Sequence, residues 1–143
     1  MIKLTMQATT DMYKYLVDNI AKDKAKQDYL QGVEVFKDED KPQTFKGSYI
    51  AINALPFVFG NAIADNTMNI NVHCPNLSNG EADRVKLGKI VGYICSIIPT
   101  EGATDDSEEL LLQGAVYTIR SQSRPMSDTD NTHFVNLKTK IKF

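Results

Sequence analysis

The stretch from Met68 to Ile98 constrains this chain most, because it places a strand signal and a helix signal back to back. Met68-Asn69-Ile70-Asn71-Val72-His73-Cys74 alternates apolar and polar residues, the period of a strand buried on one face. Pro75 ends the run and Asn76-Leu77-Ser78-Asn79-Gly80 supplies a turn. Val85, Leu87, Ile90, Val91, Ile94, Ile97 and Ile98 then recur at the three-and-four spacing of an amphipathic helix. A strand feeding so directly into a core helix commits the chain to layers of both kinds.

At 143 residues and 42% hydrophobic, the chain can build one core and is short for two, so residues 1–143 are read as a single domain. The balance of 16 basic against 18 acidic side chains, net −2, lacks the broad cationic footprint of a general nucleic-acid binder, and no sequence-specific nucleic-acid binding is expected. Met1-Ile2-Lys3-Leu4-Thr5 lacks the apolar core of a signal peptide, and no run nears the roughly 18 apolar residues of a membrane helix. The expectation is a protein that is cytoplasmic when made, with no membrane partner. Cys74 and Cys95 read as small buried thiols, and without an export signal a reduced pair is expected rather than a disulfide.

Around that centre, Thr9 or Thr10 is placed to cap a first helix from Thr10 to about Lys22, with Met12, Leu16 and Ile20 on one face. The polar run 23–28 either extends that helix or begins a linker, and Gly32 marks the change to extended chain. Val33-Glu34-Val35-Phe36 and Lys46 to Leu55 read as strands around a solvated turn at Asp38 to Pro42. Phe57 or Phe59 should pack on the sheet or against a neighbouring chain, ahead of a turn from Asn61 to Thr67. Glu101 to Glu109 is acidic and reads as a mobile loop. Leu110 to Arg120 reads as one strand reset by a bulge at Gly114, and Ser121 to Asn131 as a long polar hairpin connection. His133 to Phe143 alternates to the end, with Val135, Leu137, Ile141 and Phe143 opposite Asn136, Lys138, Lys140 and Lys142. The resulting order, α-β-β-β-α-β-β, predicts an α+β domain with a mixed or antiparallel sheet of about five strands and two helices on one face.

Chemical motifs are absent from this sequence. His73, Cys74, Cys95 and His133 have no paired ligand spacing, adjacent strand residues diverge, and neither a Walker loop nor a G-x-G-x-x-G fingerprint occurs, so no metal, no cofactor and no catalytic residue are expected. Three weaker features remain as candidate interface. Gly88, Gly92 and Ser96 form a small-residue stripe that fits close backbone approach, ordinarily within the monomer and otherwise at a subunit contact. Lys138, Lys140 and Lys142 form a basic stripe, ordinarily a solvated strand face and otherwise a contact for phosphates or an acidic partner. Arg124, Pro125 and Met126 lie in the long hairpin connection.

Three stretches carry a resemblance: Tyr49-Ile50-Ala51-Ile52-Asn53-Ala54-Leu55-Pro56, the run from Met68 to Gly80, and Thr132 to Ile141. Together they resemble the tail-completion proteins of long-tailed bacteriophages, the tail terminator or head-to-tail joining family. That resemblance implies a non-enzymatic virion protein, made in the host cytoplasm, whose subunits form a ring, commonly a hexamer, at the head-proximal end of the tail. Its implied partners are other copies of itself, the tail-tube protein and the head connector or adaptor. A head-completion or connector-adaptor subunit is the alternative within the same particle. A small ligand-binding or enzymatic α+β domain, with His73 and His133 as its polar candidates, is the alternative from another class.

Overall fold

The computed structural model of the chain describes residues 4–58, 66–102 and 109–143. Its elements are α1 (Thr5–Asp23), a 3-10 turn (Asp28–Leu30), β1 (Glu34–Lys37), β2 (Tyr49–Ala54), β3 (Asn66–Pro75), α2 (Arg84–Ile97), β4 (Leu110–Leu112), β5 (Ala115–Gln122), β6 (Met126–Ser127) and β7 (Thr132–Lys142). The strands form one mixed sheet in the order β1-β2-β3-β7-β5-β4, with β6 also paired to β7. It is an α+β domain as expected, with seven strands among the described residues rather than about five.

Alternation decides which side of the sheet is buried. Ile50, Ile52, Met68, Ile70, Val72, Leu137 and Ile141 are fully buried and share one face through the antiparallel registers of β2 with β3 and β3 with β7. Both helices cover that face. α1 brings Ala8, Met12, Leu16 and Ile20 onto β1 and β2, while α2 brings Leu87, Ile90 and Ile94 onto β3 and β7. The helices are tied to one another by two phenols: Tyr15 donates to the Ile97 carbonyl, and Tyr93 donates to Asp23 Oδ2 at 2.8 Å.

Several boundaries differ from the sequence expectation. α1 starts at Thr5, so neither Thr9 nor Thr10 caps it; Thr9 is a full turn inside and its hydroxyl donates to the Thr5 carbonyl at 2.9 Å. Buried Ala8 explains the extension, since it continues the Met12, Leu16, Ile20 stripe one turn earlier. α2 is capped by Asp83, whose Oδ1 accepts from Lys86 N at 3.1 Å, and Val85 sits on its outward side at 70% exposure rather than on the apolar stripe.

Gly114 does not mark a bulge. Gln113 and Gly114 both have positive φ, 47° and 85°, and form a two-residue turn that folds β4 back on β5 with Leu112 opposite Ala115. The bulge lies at Arg120, where the β5–β7 register shifts between Ile119 and Ser121. The long polar connection is partly ladder as well: Ser121 and Gln122 end β5, the chain breaks at residues 123–125 and resumes pairing with β7 as β6, leaving a tight turn closed by Asp128 N to the Thr132 carbonyl at 2.9 Å. Phe57 packs on the sheet end, 5.6 Å from the Phe143 ring. Phe59, most of the expected Asn61–Thr67 turn and most of the expected 101–109 loop lie outside the described residues.

The pairing of β1 with β2 is parallel. Residues 38–48 must therefore carry the chain back along the sheet before β2 begins, a job usually given to a helix. Here the return path is an irregular crossover on the face opposite the helices, where the Phe45 ring meets Phe36 at 5.3 Å and Tyr49 at 6.0 Å, both edge-on.

Candidate functional site

The face turned away from the helices gathers the side chains of most mixed chemistry. Tyr49, His73 and Phe134 are in register across β2, β3 and β7, so their rings form a row. Tyr49 and His73 stack at 4.3 Å with 7° between planes, and His73 and Phe134 at 5.0 Å with 22°. The crossover and the 128–131 turn close over this row. Lys41 Nζ lies 5.2 Å above the Tyr49 ring and 3.9 Å from Asp130 Oδ2, and Asp128 Oδ2 is 3.5 Å from His73 Nδ1.

Burial sets the electrostatics beneath that cover. Tyr49 and His73 are each only 7% exposed. Desolvation pulls the imidazole down to about 4, against a smaller upward pull from Asp128 and with a further downward push from Lys41. The same burial, with Asp128 and Asp130 nearby, pushes the Tyr49 phenol up to about 12. At neutral pH both are uncharged. The 3.5 Å contact with Asp128 is at the outer limit of hydrogen bonding, and His73 Nδ1 has no hydrogen-bond partner among the described residues.

Next to the aromatic row runs a ladder of amides. Asn69 Nδ2 donates to Asn53 Oδ1 at 3.1 Å, and Asn136 Nδ2 donates to Asn69 Oδ1 at 3.1 Å and Asn71 Oδ1 at 2.7 Å. Beyond it, the lysine stripe lies where alternation predicts: Lys138 and Lys142 are exposed and Lys140 is partly covered. Glu101 offsets part of its charge, with carboxylate oxygens 3.9 Å from Lys140 Nζ and from Arg120 Nε; the Arg120 pair is of the exposed kind that contributes about 1 kcal/mol or less.

The sequence candidates do not converge on one surface. Lys138, Lys140 and Lys142 lie on the open sheet face, together with Met126, which pairs opposite Phe134; Arg124 and Pro125 occupy the break just before β6. Gly88, Gly92 and Ser96 lie on the other layer, exposed on the outward side of α2. The ordinary reading of that stripe, tight packing within the monomer, finds no packing partner among the described residues: a Cβ at Gly88 or Gly92 meets none of them within 4 Å. The reason is phase: with Leu87, Ile90, Val91 and Ile94 turned to the sheet, positions 85, 88, 92 and 96 fall on the opposite side.

His73 and Cys74 point to opposite faces, as adjacent strand residues must, and His133 Nδ1 contacts Asn76 Oδ1 at 2.6 Å. Among the described residues, no group of three or more His, Cys, Asp or Glu side chains is placed to hold a metal ion. Cys74 and Cys95 are free thiols that burial pushes up, so both stay protonated and weakly nucleophilic at neutral pH. Among the described residues, no helix is long and apolar enough to cross a membrane.

Neither a protein-family model nor a curated protein matches the chain. The aromatic row was the feature that reading the strands one at a time passed over. Its signal was nonetheless present: Tyr49, His73 and Phe134 each put a ring at the polar phase of an alternating strand, which calls for a cover from elsewhere in the chain.

Proposed function

We propose that the chain is a structural subunit of a long-tailed phage or prophage particle, one of a ring of identical copies at the head-proximal end of the tail. In that place the ring ends polymerisation of the tail tube and joins the tail to the head connector. The observation that carries this reading is the outward side of α2. Gly88 and Gly92 cost the helix about 1 kcal/mol each relative to alanine, and nothing among the described residues uses the space they leave. A smooth helical ridge continued by Ser96 and by Val85 at 70% exposure suits close approach of a second copy. The stretches that carry the family resemblance fall on β2, β3 with its following turn, and β7, three neighbours at the centre of the sheet.

Light scattering over a concentration series, with and without a tail-tube protein of the same genome, tests the reading. A closed ring, alone or on adding the tube, is the expected result; a monomer indifferent to the tube at every concentration overturns it. Two substitutions sharpen the test. Gly92→Ala should stabilise the isolated subunit by about 0.5–1 kcal/mol in urea unfolding, because the helix gains propensity and no neighbour is struck. Gly92→Leu should leave the subunit folded and abolish the ring, whereas a melted subunit would mean that α2 turns this side inward.

A further inference from the structure

The crossover and the 130–132 segment do more than roof the aromatic row. Between them lies a cleft of about 310 Å³, at the lower end of the range for small-molecule sites. Phe45, Tyr49 and Pro75 give it apolar walls. Its polar groups are unbalanced toward donors: the ammoniums of Lys41 and Lys46 against the single carboxylate of Asp130, which is 61% exposed and 3.9 Å from Lys41. Asn131 adds to the excess, because its Oδ1 already accepts from Asn76 Nδ2 at 3.1 Å and what remains of that amide is its donor end.

We propose that this cleft binds a small aromatic carboxylate of one-ring size, its ring against Phe45, Tyr49 and Pro75 and its carboxylate taken up by Lys46 and Lys41. A flat carboxylate satisfies several donors at once, while its ring covers walls that a bare anion would leave wet. The inference stands apart from the ring reading, since the cleft lies on the sheet face and the glycine ridge on α2.

The test is an amide-resolved NMR titration of the full chain with benzoate, with benzamide and inorganic phosphate as controls. Benzoate is expected to give saturable shifts confined to residues 41–49 and 130–132, and each control to bind at least about tenfold more weakly, the cost of losing either the charge-assisted bonds or the apolar contact. Lys46→Gln, at an exposed position that cannot unsettle the core, should weaken benzoate about tenfold. Shifts that do not saturate or that spread to Lys138 and Lys142 overturn the proposal, as does benzamide or phosphate binding as tightly as benzoate, or Lys46→Gln binding like the parent.

Discussion

Ile70→Ala should cost about 4 kcal/mol, the largest effect of any single truncation considered for this fold. Ile70 is fully buried on β3, flanked in register by Ile52 on β2 and Leu137 on β7, both also fully buried, with α2 packed across the strand. The residues beside it are held by ladders on both sides and cannot collapse into the space, so both the lost transfer energy and the cavity are felt. Against a total of about 5–15 kcal/mol for a domain, that is a large share, and the melting temperature should fall by about 10–15 °C. The neighbouring substitution Asn71→Ala provides the control. Its side chain is on the opposite face, half-buried, and accepts one amide bond from Asn136 at 2.7 Å, so about 1 kcal/mol is expected. Equal costs for the two in urea unfolding would mean that the helices do not cover the face described.

The second large effect is on acid stability and belongs to His73. Its folded value is pulled from 6.5 to about 4 by burial, so the folded chain holds it neutral where the unfolded chain protonates it. For a group whose folded value is depressed in this sense, the unfolded state binds more protons between the two values, and stability falls as pH falls. The contribution is complete above pH 6.5, declines through the window down to about 4, and amounts to about 3 kcal/mol in all at roughly 1.4 kcal/mol per unit. Carboxylates titrate over the same range, so the measurement is a difference: urea midpoints at pH 7.5, 5.5 and 4.5 for the parent chain and for His73→Phe, whose ring can keep the stack with Tyr49 and Phe134. The parent should lose stability faster than the variant across that window. Parallel curves would mean that His73 is solvated and the crossover does not close over it.

Much of the fold could be read from the chain, and the failures share a cause. The long strands and the faces of both helices followed from period alone, because a side chain's direction is set by its own backbone and its neighbours in sequence. Ends were less legible. Thr9 looks like a cap until Ala8 is seen to be buried, and that burial depends on what α1 lies against. Gly114 shows the same ambiguity in a strand: a glycine in an extended run signals equally a bulge or a turn, and only the pairing of Leu112 with Ala115 chooses. The candidate surfaces divided likewise. The lysine stripe lay where alternation put it, while the glycine stripe, whose spacing was plain, faces none of the described residues.

What the sequence by itself determined is the long elements, α1, β2, β3, α2 and β7, and the buried side of each, since three-and-four spacing and strict alternation bind residues only a few positions apart. What only the tertiary structure decided is adjacency: β3 against both β2 and β7, β1 parallel to β2, and residues 38–48 crossing the far face to meet the 128–131 turn. These pairings join residues distant in the chain, and their energy comes from surfaces buried together and rings stacked across strands, quantities that no local period encodes. The aromatic row and the cleft beside it exist only as a consequence of that adjacency.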